Sequence, residues 1–387
     1  MAMIAGWAHS RFGRLDGVSI YDLVKEVTEG ALADSGIDPA GVDEIFVAHF
    51  NQGMDGQGFS AALPATVVPA LRMKRAVRVE NACASGSAAV QLGARMIDAS
   101  LARIVLVVGV EKMTAASPDT IRKALLSASH FETEAGDESS FAGHFAHIAR
   151  LYFQKYGDKS EALARIAAKN HAYGAKNPLA HMQKDLGFEF CSRAGPKNPM
   201  VAPPLRRTDC SMVSDGAAAL VLVSPEVEGA RSETIAIRAM SQVVDSLPMA
   251  SRDMTELAGC RVAWSKVLTD AALTLDDLDF VETHDCFTIA ELMQYEAMGL
   301  AEPGHGADVV ENGDSSLGGR LPVNLSGGLK SKGHPIGATG VSMHVLAARQ
   351  LAGDPAGVGV EGARLGGVFN MGGTGAANHC TILERVS

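Results

Sequence analysis

Apolar positions along the chain follow two periods in alternation. Residues 3–8 form an apolar run of strand length. Ile20–Ser35 has helical period, with Leu23, Val24, Val27, Ala31 and Leu32 on one face. The turn GIDPAGVDE leads into the apolar run IFVAHF, followed by a Gly-rich loop at 51–58 and a helix predicted near 60–72. Ala76, Val77 and Val79 then run into Asn81-Ala82-Cys83, a row of small residues, a helix-length segment and a β-branched run at 104–110. That order reads as strand, tight turn, buried helix, strand, and the alternation predicts a mainly parallel sheet covered by helices. From about Lys112 to Arg206 strand-like runs vanish. Amphipathic helices are predicted at 141–156 and 160–173, and GPKNPMVAPP reads as turn-rich loop; the sheet pattern returns at 217–223.

The pattern repeats. ALADSGIDPAGVDEIFV (31–47) lies over VLTDAALTLDDLDFVET (267–283) without a gap, with Leu32 on Leu268, Asp34 on Asp270, Asp43 on Asp279 and Ile45 on Val281. CASGSAAVQLGA (83–94) lies over HPIGATGVSMHV (334–345), with Gly86 on Gly337 and Val90 on Val341. Each half is therefore a copy of one β/α unit. A pseudo-twofold between the halves brings their matching helix heads, Cys83 and His334, towards one another. The expected organisation is an α/β fold with one half at 1–112 plus 206–230, an inserted mostly helical region at 113–205, and a second half at 231–387.

Composition narrows the partners. The chain has 387 residues, room for two or three domains, and its 41 glycines with 5% aromatic residues suit close helix–sheet packing. A net charge of −10 argues against nucleic acid as the main partner. The chain has no run of about 18 apolar residues and its start lacks the form of a secretory signal, so a cytoplasmic location without a membrane partner is expected. Six cysteines without C-x-x-C spacing read as reduced thiols, and no metal site is expected.

Four stretches can carry chemistry. Cys83 stands at a strand-to-helix turn, where unpaired N–H groups and the helix dipole favour a thiolate, although a lone cysteine there is more often core. His334, in GGLKSKGHPIGATG, can take a thiol proton, and Pro335 suits the start of a helix. The second half's equivalent strand ends in Glu282-Thr283-His284-Asp285-Cys286-Phe287, where open α/β sheets place active groups. A glycine cluster at 372–375 frees backbone N–H groups to face a substrate oxygen.

With these motifs in order (NACASG, SDGAAA at 214–219, GHPIGATG and the terminal glycine cluster), the chain resembles the thiolase family over essentially its whole length. It departs from the commonest family pattern twice. His284-Asp285-Cys286-Phe287 replaces the usual Asn-Glu-Ala-Phe, and Met371-Gly372-Gly373 replaces the usual Cys-x-Gly. The departures compensate, because Cys286 supplies the thiol that Met371 removes. The combination resembles sterol-carrier-protein-type thiolases and their archaeal and bacterial acetyl-CoA acetyltransferase relatives.

The resemblance implies a layered αβαβα arrangement and acyl transfer between coenzyme A thioesters. Cys83 would be acylated with help from His334, and the N–H groups of Cys83 and Gly373 would hold the acyl oxygen. Cys286 would exchange the α-proton, while His334 and a water held by His284 would stabilise the enolate. Asp285 and Asn324 are supporting candidates. Coenzyme A thioesters enter as substrates, with no metal or redox cofactor, and the 113–205 region would cover coenzyme A. Individual contacts to it are not assigned: Arg206, Arg207 and Lys197 read as surface charge. A homodimer or homotetramer is implied, and relatives of this subgroup can work with partner proteins. Three rivals stand beside this reading: a decarboxylating ketoacyl-synthase-like enzyme, a retro-aldolase, and a non-catalytic acyl-CoA-binding subunit.

Overall fold

The computed structural model describes residues 1–136, 139–227 and 235–386. Among these, nine strands form one sheet: β1 Met3–His9, β2 Glu44–Ala48, β3 Arg75–Val79, β4 Ile104–Glu111, β5 Gly216–Val223, β6 Ile235–Val244, β7 Phe280–Glu282, β8 Leu365–Gly372 and β9 Ala377–Arg385. Their spatial order is β3-β2-β4-β5-β1-β6-β9-β8-β7. The two halves join through Met3 and Ile4 of β1, opposite Ala236 and Ile235 of β6.

The sheet is mixed, not mainly parallel. β2 runs parallel to β3 and β4, and β7 parallel to β8, while β5, β1, β6 and β9 pair antiparallel. The cause lies in the connections. Helical crossovers produce the parallel pairs, but β8 returns through a short turn at 373–376 and can only pair antiparallel with β9.

Burial follows the pleat. Along β4, Val105 and Val107 enter one core while Leu106, Val108 and Val110 enter the other. The second core is closed by helix α1 (Ile20–Ser35), which starts at a capping box between Ser19 and Asp22 and ends at Gly36 in the left-handed region. Helix α2 (Ser85–Asp98) packs on the first core. The other long helices include α3 (Phe141–Tyr156), α4 (Ser160–Gly174), α5 (Ala258–Ala271) and α6 (Thr288–Ala297). The last, α7 (Ile336–Leu351), is buried along almost its whole length, apolar enough all round to sit between layers. Gln91 of α2 reaches the carbonyls of Ser241 and Cys380 in the other half-sheet at 3.1 Å, so the paired helices are sandwiched between the halves. α1 and α5 cover the outer faces, completing the layered α/β arrangement.

The two central helices touch backbone to backbone. A Cβ on Gly86 would lie 2.6 Å from Val341 N, and one on Gly340 would lie 2.2 Å from Ser87 N. Only glycine fits this crossing.

Two local expectations change. The helix expected near 60–72 is broken into the short helix Leu63–Val67 with single turns on either side, because Pro69 forces Val68 into an extended conformation. The GPKNPMVAPP loop contributes one strand of a small pair, Met200–Ala202, which meets Leu205–Arg206 just beyond it. The boundary placed at 230/231 falls outside the described residues. No helix among the described residues is long and apolar enough to cross a membrane.

Candidate active site

Cys83 is delivered by a strained turn. Ala82 has φ +48°, a region that residues with a Cβ seldom occupy. Ser85 Oγ locks the turn by accepting from Asn81 N at 2.8 Å and donating to Ala82 O at 2.6 Å. Behind it, Asn81 Nδ2 meets His379 Nε2 at 2.9 Å. His334 enters from the matching place in the second half, just before α7. The Cys83 sulfur and a nitrogen of each of His284 and His334 lie within 4.8 Å of one another. The two imidazoles stand edge to face, 5.1 Å between ring centres.

The hydrogen bonds fix both tautomers. Thr339 Oγ1 donates its proton to Pro335 O at 2.9 Å, so the 2.6 Å contact with His334 Nδ1 needs Nδ1–H as donor. His334 Nε2 is then a free base. Asn370 Nδ2 donates to Cys83 O at 3.0 Å and to His284 Nδ1 at 2.9 Å. His284 therefore carries its proton on Nε2. One ring can accept a proton and the other can donate one. Neither Thr339 nor Asn370 was singled out by the sequence, although Thr339 lies inside GHPIGATG and Asn370 directly precedes Met371-Gly372-Gly373.

Burial sets the charges. His334 is lowered to about 3, first by burial and then by Lys332, and burial followed by His334 and Lys332 lowers His284 well below its usual value. Both rings are neutral near pH 7. Cys83 is pushed up to about 12 by burial, against the pull of the N–H groups of Gly373 and of Cys83 itself. The helix terminus alone favours a thiolate, but desolvation outweighs it. Burial likewise raises Cys286, with Cys83 as the next contributor.

Cys83, Cys286 and His334 line one cavity of about 1300 Å³. Asp285 and Asn324 stand behind it. The Asp285 carboxylate accepts from Leu329 N at 2.6 Å, Lys330 N at 3.1 Å and Asn170 Nδ2 at 2.8 Å, anchoring a turn of π-helix at Gly328–Lys332 that leads to His334. A Cβ on Gly328 would lie 2.2 Å from Asp285 Oδ2, so the anchor needs glycine there. Asn324 accepts from Thr283 N at 2.8 Å and donates to Glu291 at 2.8 Å, which sets the strand end before His284. Met371 is buried in the core and gives no group to the cavity wall.

Glu111 was not foreseen. Its buried carboxylate accepts from Phe50 N, Asn51 N and Gly337 N at 2.8–3.0 Å, tying the start of α7 to the first half-sheet. Among the cations, Arg206 is a structural residue, buried against Asp209 and the carbonyls of Ser160 and Ser192. Arg207, Lys197 and Lys184 are exposed and line the cavity. Cys83, His284 and His334 are the one group of ligand-type atoms among the described residues gathered closely enough to hold a metal ion. Their fixed, opposite tautomers equally suit proton transfer around a thiol.

Fold and site together define a two-halved α/β enzyme with a buried cysteine set beside two imidazoles. Residues 2–226 match the thiolase N-terminal domain and residues 241–385 the thiolase C-terminal domain-like family. The chain belongs to the thiolase family. It is 34% identical to an acetyl-CoA acetyltransferase of Methanothermobacter thermautotrophicus over 99% of both chains. It is also 32% identical to sterol carrier protein 2 of Oryctolagus cuniculus, covering 94% of this chain and 68% of that protein. Among solved structures, the Ltp2-ChsH2(DUF35) aldolase superposes with a TM-score of 0.83 at 24% identity, covering 99% of this chain and 97% of that one. A monomeric SCP2-thiolase like protein of Mycobacterium smegmatis gives 0.76 at 17%, covering 99% of this chain and 77% of that one.

Proposed function

We propose that the chain transfers acyl groups between coenzyme A thioesters through an acyl-Cys83 intermediate. The observation that carries this is the opposite tautomers of His334 and His284 beside the Cys83 thiol. Cys83 attacks the thioester carbonyl as its proton passes to His334 Nε2. The N–H groups of Cys83 and Gly373 receive the oxyanion. The coenzyme A thiolate leaves with that proton. Cys286 passes its own thiol proton to the freed His334 Nε2, and the thiolate so formed takes the α-proton of a second acyl-CoA. His284, through its Nε2–H or a water that it holds, and His334 stabilise the enolate oxygen. The enolate carbon attacks the acyl-Cys83 carbonyl, and Cys83 is expelled as a thiolate and reprotonated. Run backwards, the same steps cleave a 3-ketoacyl-CoA with free coenzyme A.

Lys184, Lys197 and Arg207, exposed along the cavity, are suited to coenzyme A phosphates. Asp285 and Asn324 act as positioning residues in this scheme. We place the protein in the cytoplasm as a homodimer or homotetramer. The likeness to the Ltp2-ChsH2(DUF35) aldolase makes a DUF35 protein the first partner to test by co-expression.

The test is intact-protein mass spectrometry after incubation with acetyl-CoA or acetoacetyl-CoA. An acetyl adduct that maps to Cys83 and disappears in Cys83→Ala is expected. If no adduct forms under either condition, the non-catalytic acyl-CoA-binding reading replaces this one.

A further inference from the structure

One buried charge in the cavity wall is left over by this scheme. Lys330 is 2% exposed, and it lines the same cavity as Cys83. Other buried lysines are paired, Lys112 with Asp215, Lys169 with Glu291 and Lys332 with Ser342 Oγ. The Lys330 ammonium has neither a hydrogen bond nor an ion pair among the described residues. Burial lowers its pKa, and the groups that act on it from nearby are Cys210, Asp285, Asp209 and Cys191.

Neither carboxylate is its counterion. Asp285 is taken up by two backbone N–H groups and Asn170, and Asp209 by Arg206 and Thr288. A buried ammonium without a partner is costly, and in a cavity wall it calls for an anion from outside.

Cys210 forms an isolated bridge with Phe287, and the neighbouring Ser211 N donates to Cys286 O at 2.8 Å, so Lys330 and Cys210 stand on the Cys286 side of the cavity. The exposed cations Lys184, Lys197 and Arg207 remain for phosphates. A single buried positive charge matches a single carboxylate better than a phosphate dianion, which needs several donors and keeps more water. A second open polar atom shares the wall. His171 lines the cavity and its Nε2 has no hydrogen-bond partner; the Lys184 carbonyl approaches the ring without completing a hydrogen bond.

We propose that Lys330 recognises a carboxylate at the far end of the acyl group, so that the preferred substrates are ω-carboxyacyl-CoA thioesters. This rests on the acyl-transfer reading above. Truncating one partner of a buried charge pair costs tenfold or far more in affinity.

The experiment compares two six-carbon substrates in thiolysis, 3-oxoadipyl-CoA ending in a carboxylate and 3-oxohexanoyl-CoA ending in a methyl. Wild type is expected to favour the first by at least tenfold in kcat/KM. Lys330→Met, of similar shape, should lower that ratio at least tenfold, and Lys330→Arg should restore part of it. A wild-type preference for the methyl end, or a ratio that Lys330→Met leaves unchanged, overturns the proposal. Turnover of acetoacetyl-CoA alone overturns it too but leaves acyl transfer standing. If acetoacetyl-CoA is also inert, the acyl-transfer reading falls. In that case, or if Lys330→Met does not fold, calorimetry on the wild type with adipyl-CoA and hexanoyl-CoA decides: equal affinities reject the carboxylate site, and tenfold tighter adipyl-CoA binding supports it.

Discussion

Asn370 donates one amide hydrogen to His284 Nδ1, at 2.9 Å, and so determines which face of that imidazole carries a proton. An aspartate there would accept from Nδ1–H instead and leave Nε2 bare. Asn370→Asp is expected to lower thiolysis of acetoacetyl-CoA by about 10²–10³-fold, the usual loss when a donor to a developing oxyanion is removed. Acylation of Cys83 by acetyl-CoA, read by mass spectrometry, should fall much less. Equal losses in both would show that Asn370 serves the turn and not the tautomer.

Thr339 does the corresponding work for His334. Thr339→Val keeps the shape and deletes the acceptor, freeing the ring to rotate or change tautomer. Burst-phase acylation should slow by about 10- to 100-fold, and Thr339→Ser should recover most of it. Failure of serine to rescue would argue that the methyl group, and not the hydroxyl, matters.

Cys286→Ala separates the two chemical steps. C–C bond formation and cleavage should be impaired while Cys83 is still acylated by acetyl-CoA. The wild type tests the decarboxylating rival, because a strict requirement for malonyl-CoA as carbanion donor would exclude α-proton removal by Cys286.

Most of the larger plan was legible in sequence. The aligned repeat holds to the residue: the turn Pro39–Gly41 and strand Glu44–Ala48 of one half correspond to Leu275–Asp277 and Phe280–Glu282 of the other. Periodicity finds such elements because burial acts on every turn of a helix and every second residue of a strand. The tautomers were not legible, since they depend on contacts such as Asn370 with His284 between residues far apart in the chain. Nor was the raised pKa of Cys83: a local helix-end argument carries no information about the desolvation imposed by the rest of the fold. Arg206 shows the same limit, reading as surface charge until the packing of its loop buries it.

The neutral histidines make stability sensitive to acid. His9, His49, His171, His334 and His379 are held at about 3 and His344 at about 4, chiefly by burial, against an ordinary value of 6.5. A depressed histidine contributes stability that is present above its unfolded pKa and lost as pH falls through the window down to its folded value. Glu111 and Asp285, raised to about 7 by burial, and Glu26, Glu282 and Glu296, also raised by burial, act in the opposite sense but are fewer than the histidines. The melting temperature should therefore fall as pH drops from 7 to 5. A constant or rising value would mean that the carboxylates dominate.

Gly340→Ala tests the helix crossing. Its new Cβ would lie 2.2 Å from backbone, where no side chain can give way. A loss of about 3 kcal/mol or more in urea unfolding is expected, at the upper end for overpacking. A cost under about 1 kcal/mol would show that the two helices can separate cheaply.

That crossing also bears on how the protein can change. Cys83 and His334 lead into helices whose main chains are already in contact, so their spacing is a dimension of the polypeptide itself and cannot be adjusted by exchanging side chains. New substrate preferences must then arise in the cavity walls around a reactive pair whose geometry is inherited intact, and engineering aimed at a different acyl group has its room for variation there.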